Sequence, residues 1–365
     1  MSAPGSSKRP RPRELLARLS LAEKAALLTG ADRWTVPEHP GIGLRAIRCS
    51  DGAAGDTALN VPAPVALAAT WDPHRAGRIG SLLAAECRRQ GVDVLLGPAV
   101  SLTRGLGEDP LLTAVIGGAI VRGVQRGGVA AAVKQFAVDD SADERVQREV
   151  YLAPFETIVR QERPWAVVTE SPMLRGILKD EWRFDGVVVS GRGAARGVAT
   201  AGALVRAVRD GRVSESAVDD KVLRILRLAS RVGALGPAAA PGAAAKWAGQ
   251  RARNLLRTTA AAGFVLARNE GSLLPLDPRA LRRVAVIGPN AAVTGLRAAL
   301  GPNVAVSYSA GEEPHHLARA ADVAVVVVGT AEEGPGRQDK LVRRVAAVNP
   351  RTVVVVNTVA PVPLP

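Results

Sequence analysis

The chain has 365 residues, of which 47% are hydrophobic and only 3% aromatic, and its formal net charge is +14. This length allows two domains with aliphatic cores, and no apolar run is long enough to cross a bilayer, which excludes a membrane-spanning protein. The charge alone would suit a nucleic-acid partner, but the arginines are scattered and no zinc-finger, basic-zipper or RNA-binding motif accompanies them. We therefore expect no specific nucleic-acid partner and no membrane partner.

Residues 1–13 are polar and basic with no apolar segment behind them, so they lack the pattern of a secretory signal. On this basis we expect a cytoplasmic protein. The two cysteines, Cys49 and Cys87, predict neither a disulfide framework nor a metal site. None of the four histidines has the spacing of a ligand set, so we expect no metal ion and no cofactor.

Residues 13–235 alternate short apolar runs with longer stretches of helical periodicity. Strands that alternate with helices indicate a parallel sheet with crossover helices. The strands are almost entirely apolar, which is typical of a sheet covered on both faces. The predicted strands cover 92–96, 129–133, 166–169 and 186–190, and the predicted helices cover 72–90, 108–126 and 149–161.

A Pro/Gly/Ala stretch, GPAAAPGAAA at 236–245, interrupts this alternation and predicts an interdomain linker. Residues 246–365 then form a second α/β unit, which begins with a helix over 246–262. Its predicted strands cover 284–287, 304–307, 323–328 and 352–356. Because four strands make a small sheet and no closing helix follows, we expect a truncated domain.

A dozen segments, in order, resemble glycoside hydrolase family 3 across roughly residues 13–365. They include SDGAAG at 50–55, GVDVLLGPAVSLTR at 91–104, VKQF at 133–136, EWRFDGVVVS at 181–190 and VAVIGPN at 284–290. The resemblance implies a (β/α)8-type barrel followed by an α/β sandwich domain. A complete barrel of this kind needs about 250 residues, so we expect an incomplete barrel and a truncated sandwich.

The resemblance also implies a retaining exo-β-glycosidase of the β-glucosidase type, with a small carbohydrate or glycoside as its partner. Retention requires two carboxyl groups about 5–5.5 Å apart, one as nucleophile and one as acid/base. The family's nucleophilic aspartate follows a Val-Val-Ser motif, and here Gly191 occupies its position. Glycine cannot form a glycosyl ester, and Glu170 on the adjacent strand is the only stand-in nucleophile that the sequence offers.

Three residues match the family's sugar-binding positions. Asp51 corresponds to the aspartate of the SDG motif, and Lys134 to the lysine of a Lys-His pair whose histidine is Gln135 here. Alternatively, Asp51 is only a turn residue before glycine, and Lys134 is only a buried lysine paired with Asp139 or Asp140. Both alternatives stay open from the sequence alone.

Loops that would complete the pocket are short. Arg104 matches the start of a sugar-gripping loop whose remainder is missing, so a solvated loop arginine is a simpler interpretation than a sugar ligand. Glu332 and Glu333 match the start of the loop that carries the acid/base, and adjacent glutamates are also common as solvated charges. Further shortening is predicted after residues 55, 171 and 193, at the strand ends where a barrel builds its site.

Three hypotheses remain at this point. The chain is a family 3 scaffold with weak or absent glycoside hydrolysis, a glycosidase with a displaced nucleophile, or a non-catalytic pseudoenzyme that binds a sugar or a partner. The sequence leaves the oligomeric state open.

Overall fold

The protein is represented by a computed structural model that describes residues 11–32, 34–51, 59, 61–102, 105–136, 142–169, 176–189, 200–236, 249–289, 291, 293–311, 314–329 and 335–358. Contacts between Cα atoms divide the chain into two compact units, Met1–Phe264 and Val265–Pro365. Each unit has its own sheet and its own apolar core. No helix among the described residues combines the length and the apolar character needed to cross a membrane.

The first unit is built on a sheet whose strands follow one another in chain order. The strands are β1 (Thr35–Val36), β2 (Ile47–Ser50), β3 (Val94–Leu95), β4 (Ala130–Val133), β5 (Ala166–Val168) and β6 (Val187–Val189). The strand pair β1–β2 is antiparallel, and every pair from β2 to β6 is parallel. Parallel strands present their carboxyl ends at one edge, so the residues that follow β2 to β6 share that edge.

Helices cover both faces of this sheet. They are α1 (Pro12–Leu16), α2 (Leu21–Thr29), α3 (Pro64–Ala68), α4 (Pro73–Arg89), α5 (Pro110–Arg126), α6 (Glu144–Val146), α7 (Ala153–Glu162), α8 (Ala201–Arg209), α9 (Glu215–Arg231) and α10 (Gln250–Ala262). Alternate strand residues enter opposite cores: Val94 packs with α1, α2 and α9, whereas Leu95 packs with α4, α5 and α7. This arrangement explains why β3 to β6 contain only apolar residues.

The α4–α5 pair is packed closely enough that glycine is required at the contact. A Cβ atom on Gly80 would overlap the carbonyl oxygen of Ile120, and one on Gly123 would overlap the carbonyl oxygen of Gly77. The backbones of the two helices therefore touch.

The helix predicted over 246–262 was expected to begin the second unit, but it packs in the first unit. It is observed as α10 and packs against α3 and α4 of the first unit, with Arg75 Nη1 donating to Thr258 Oγ1 at 3.4 Å. The division between the two units accordingly falls after Phe264. A periodic pattern identifies the apolar stripe of a helix but does not identify the core that the stripe contacts.

The second unit contains a parallel sheet of the order β10-β9-β7-β8. Its elements are β7 (Arg283–Ile287), α11 (Val293–Leu300), β8 (Ala305–Ser309), α12 (Pro314–Ala320), β9 (Val323–Gly329), α13 (Pro335–Ala346) and β10 (Thr352–Asn357). Each strand overlaps its predicted range. The expected α/β class, with one sheet in each unit, is confirmed.

Candidate functional site

Asp51 and Lys134 meet at the carboxyl edge of the first sheet. Asp51 directly follows β2, and Lys134 directly follows β4. The Lys134 ammonium donates to Asp51 Oδ1 in an ion pair, although the two residues lie 83 positions apart in the sequence. The side chains are 25% and 47% exposed for Lys134 and Asp51 respectively, so the pair remains open to a ligand from solvent.

The backbone of Lys134 is fixed by the loop that follows β3. Its N–H donates to Pro98 O at 3.0 Å, and its carbonyl oxygen accepts from Val100 N at 2.6 Å. The peptide bond from Lys134 to Gln135 is cis, and Gln135 is exposed. The structure therefore brings together two of the predicted sugar-binding residues, Asp51 and Lys134, and Gln135 follows Lys134 in the chain.

Phe136 anchors the carboxyl end of the segment 134–136. Its side chain is 1% exposed and packs edge-on against Phe155 and Trp182, with ring centroids 5.0 and 5.5 Å away. Its N–H donates to Val168 O at 2.9 Å, and its carbonyl oxygen accepts from Thr169 Oγ1 at 2.8 Å. Lys134 and Gln135 are thus held between two fixed points on neighbouring strand ends.

The Asp51–Lys134 pair can bind a ligand rich in hydroxyl groups. An ammonium group has three donors and a carboxylate has about four lone-pair positions, so each group keeps hydrogen-bonding capacity after pairing with the other. The alternative partners that the sequence suggested for Lys134, Asp139 and Asp140, lie outside the described residues. Within the described part of the chain, Lys134 pairs with Asp51.

The residues expected to perform or surround the chemistry lie outside the described part of the chain. Gly191 follows β6 by two positions, Glu170 follows Thr169, and Arg104 lies in the loop after β3. Asp185 precedes β6 and lies 3.4 Å from Arg231 Nη2. It therefore stands at the amino edge of the sheet, away from the candidate site.

A thiol does not replace the missing carboxylate. Cys49 is two residues before Asp51 on β2, but burial, aided by the charges of Asp93 and Asp32, raises the pKa of its thiol to about 12. A thiol with such a pKa is protonated at neutral pH, and the thiolate is the nucleophilic form.

The acid/base candidates Glu332 and Glu333 also lie outside the described residues, but the two ends of their loop are described. Gly329 ends β9, and its N–H donates to Gln338 Oε1 at 3.0 Å. Gln338 Nε2 donates back to Gly329 O at 2.5 Å. The side chain of Gln338 in α13 therefore closes the loop at its base, at the carboxyl end of β9.

Sequence reasoning did not single out Thr169. This residue ends the apolar run of β5, and a lone hydroxyl at that place is the only signal in the sequence. The structure shows it 7% exposed and hydrogen-bonded to the strand ends on both sides, through Phe136 O and Val189 O.

Comparison with protein families gives two matches, one to the N-terminal part of the chain and one to the C-terminal part. The Glycosyl hydrolase family 3 N terminal domain matches residues 43–208, and the Glycosyl hydrolase family 3 C-terminal domain matches residues 264–365. The second match begins where the contact-based division between the two units falls.

Curated relatives agree with these matches. A beta-glucosidase of Rhizobium radiobacter is 34% identical over 355 positions, covering 81% of this chain and 43% of that protein. Thermostable beta-glucosidase B of Acetivibrio thermocellus is 29% identical, covering 97% of this chain and 60% of that protein. The latter alignment runs over 463 positions, about a hundred more than the whole chain contains, so the relative has inserted segments that this chain lacks. The chain spans about two fifths of the length of the Rhizobium relative.

Solved structures show the same fold. DesR, a beta-glucosidase from Streptomyces venezuelae in complex with D-glucose, superposes with a TM-score of 0.83 at 22% identity, covering 96% of this chain and 72% of that chain. Beta-glucosidase 3B from Thermotoga neapolitana in complex with alpha-D-glucose has a TM-score of 0.79 at 20% identity, covering 97% and 70%. The first sheet thus corresponds to the TIM-like barrel of this fold, and the second corresponds to its α/β sandwich. The chain belongs to glycoside hydrolase family 3 and is β-glucosidase-like.

Proposed function

We propose that this chain recognises a glucose-like sugar through Asp51 and Lys134 but hydrolyses β-glucosides weakly or not at all. The observation that carries the proposal is the Asp51–Lys134 pair, which stands at the carboxyl edge of the sheet in a chain whose position 191 has no side chain. The pair supplies recognition, and the glycine removes the group that would attack the sugar.

Recognition is supported by the state of the Asp51–Lys134 pair. The two side chains are partly exposed, and the backbone of Lys134 is fixed by two hydrogen bonds to the loop after β3. A preorganised pair of opposite charge binds vicinal hydroxyl groups without a large entropic cost of ordering. The DesR and Thermotoga structures contain glucose, which makes a monosaccharide of this kind the first ligand to test.

Weak hydrolysis follows from the chemistry at position 191. In the retaining reaction a carboxylate attacks the anomeric carbon and forms a covalent glycosyl-enzyme. Gly191 has no atom that can attack, and burial keeps the Cys49 thiol on β2 protonated by raising its pKa to about 12. The Acetivibrio relative has segments that this chain lacks, which is consistent with the shortened loops expected from the sequence.

The test uses an activated aryl β-glucoside with dinitrophenolate as leaving group. This anion departs without protonation, so the step that breaks the glycosidic bond does not require Glu332 or Glu333 as an acid. The unmodified chain should show little turnover alone. When azide is added, azide should attack the anomeric carbon as dinitrophenolate leaves, giving an α-glucosyl azide. Gly191→Asp should restore hydrolysis, and Gly191→Asn, of the same size without the carboxylate, should not.

One further measurement separates sugar recognition from hydrolysis. D-glucose should raise the melting temperature of the unmodified chain, because a ligand that binds only the folded state stabilises it. Substantial hydrolysis by the unmodified chain without azide would contradict the proposed loss of activity. A melting temperature independent of glucose, together with no azide-dependent turnover, would contradict sugar recognition.

A further inference from the structure

Thr169 connects three strand ends at the candidate site. Its hydroxyl donates to Phe136 O, at the end of the segment that follows β4, at 2.8 Å. Its N–H donates to Val189 O, the last residue of β6, at 3.0 Å. The residue itself directly follows β5 and is 7% exposed. One buried side chain and its own amide thus link the ends of β4, β5 and β6.

The Thr169–Phe136 hydrogen bond acts close to Lys134, because Phe136 is only two positions after Lys134. Lys134 is held on its near side by Pro98 O and Val100 N, and Phe136 is held on the far side by Val168 O and the Thr169 hydroxyl. Gln135 lies between these two fixed points. A change at the Phe136 carbonyl therefore alters where the Lys134 ammonium and the Gln135 amide stand relative to Asp51.

The chemistry of the side chain explains why threonine suits this position. A β-branched residue fits an extended strand, and valine would provide the same shape. Only the hydroxyl of threonine satisfies the Phe136 carbonyl, and a buried carbonyl without this partner shifts toward another donor or toward water. A valine at position 169, like Val167 and Val168 before it, would fill the space but would donate no hydrogen bond to Phe136 O.

We propose that Thr169 is a positioning residue for sugar recognition, acting through Phe136 on Lys134 and Gln135. This inference rests on the proposed function, since it requires that Asp51 and Lys134 bind a sugar. Thr169 touches no ligand itself in this proposal. Its loss changes affinity because the two recognition side chains lose their fixed spacing from Asp51.

The experiment compares D-glucose affinity, measured by calorimetry, in Thr169→Val and Thr169→Ser. Thr169→Val should weaken binding by about tenfold, the effect expected when one hydrogen bond is lost. Thr169→Ser keeps the hydroxyl and should bind within about twofold of the unmodified chain. Thr169→Ala, which also lacks the hydroxyl, serves if the valine variant folds poorly, with circular dichroism as the check on folding.

A matched control is Thr352→Val in the second unit. Thr352 Oγ1 donates to Asn349 O at 2.6 Å, so this change also removes a hydroxyl that binds a backbone carbonyl. Its glucose affinity should equal that of the unmodified chain. Equal affinity in Thr169→Val and the unmodified chain would overturn the positioning role alone. If the unmodified chain binds no glucose at all, the proposed function fails first and this inference fails with it.

Discussion

Asp51 and Lys134 form their ion pair across the end of β3, because they follow β2 and β4, which lie on either side of that strand. Two strands separated by a third are about 10 Å apart. A lysine is long enough to cover most of this distance, and the short aspartate covers the rest. The pair therefore depends on both the strand order and the length of the lysine side chain.

Removal of either partner should weaken sugar binding, and the two losses should not add. Lys134→Met keeps the chain length and removes the charge, and Asp51→Asn keeps the shape and removes the charge. Because each residue orients the other, we expect each single change to weaken glucose binding by about tenfold and the double change to cost less than the sum. Calorimetry on all four proteins completes the double-mutant cycle.

The control for this cycle is an exposed ion pair, Arg268–Glu270, whose side chains are 74% and 75% exposed. Glu270→Gln should leave glucose affinity unchanged, since exposed pairs contribute little and this one lies in the second unit. Strictly additive losses at Asp51 and Lys134 would show that the two residues do not act together on the ligand.

Glu170 should not replace the missing nucleophile. In the sequence it comes two positions after β5, whereas Gly191 comes two positions after β6, and neighbouring strands are about 4.8 Å apart. Because the retaining reaction requires its two carboxyl groups about 5–5.5 Å apart, we expect a carboxylate carried by the neighbouring strand to miss the anomeric carbon. We expect the unmodified chain and Glu170→Gln to hydrolyse the aryl β-glucoside equally weakly without azide, within about twofold. Azide-independent hydrolysis that is present in the unmodified chain and absent in Glu170→Gln would assign the nucleophile to Glu170.

Composition and periodicity predict the apolar strands but not the polar ones. The runs that became β4, β5, β7 and β9 are almost purely Ala and Val, and each was predicted within a few residues of its observed bounds. By contrast, Ile47–Ser50 contains an arginine and a serine in a four-residue strand, and Thr35–Val36 has only two residues. Such short or mixed strands are too brief to show a periodic pattern. They form because pairing with neighbouring strands stabilises them, and the segment's own sequence does not show that pairing.

The candidate site was predictable in its members but not in its geometry. Family resemblance identified Asp51, Lys134 and Gln135, yet their pairing depends on β2 and β4 flanking β3, which is tertiary information. Thr169 could not be recognised from the sequence for the same reason. Its role arises from the carbonyl of Phe136, 33 positions away, which any residue at that place would present.

The α4–α5 contact predicts that alanine substitutions at two glycines of this interface have very different effects on stability. A Cβ atom on Gly123 would overlap Gly77 O, whereas a Cβ atom on Gly77 would lie 3.5 Å from Ala119 O, an ordinary contact. We expect Gly123→Ala to destabilise the first unit by about 1–3 kcal/mol, because the helices must separate. Gly77→Ala should be neutral or should stabilise by up to about 1 kcal/mol, since alanine favours the helix.

Urea unfolding followed by circular dichroism measures both variants. The comparison is matched because the two glycines lie in helices that pack against each other and the added group is one methyl in both. Equal stabilities of the two variants would mean that the helix backbones are farther apart than the structure shows. A lower cooperativity in Gly123→Ala alone would indicate that α4 and α5 separate before the rest of the unit unfolds.

The first turn of α2 should lose stability in acid at an unusually low pH. The Ser20 hydroxyl and the Ser20 amide both donate to Glu23, and His39 Nε2 lies 3.0 Å from Glu23 Oε1. These hydrogen bonds, the Ser20 hydroxyl first, lower the pKa of Glu23 from 4.5 to about 2. Because the folded state holds the carboxylate ionised more strongly than the unfolded state does, its contribution is complete above about pH 4.5 and is lost as the pH falls to about 2.

Glu23→Gln removes the titrating group while keeping the side-chain shape. Its melting temperature should lie below that of the unmodified chain at neutral pH, and the difference should shrink between pH 4.5 and 2. Glu38→Gln, at an exposed position beside His39, is the control and should show no such convergence. A gap between Glu23→Gln and the unmodified chain that stayed constant down to pH 2 would mean that the ionised carboxylate of Glu23 does not cap α2.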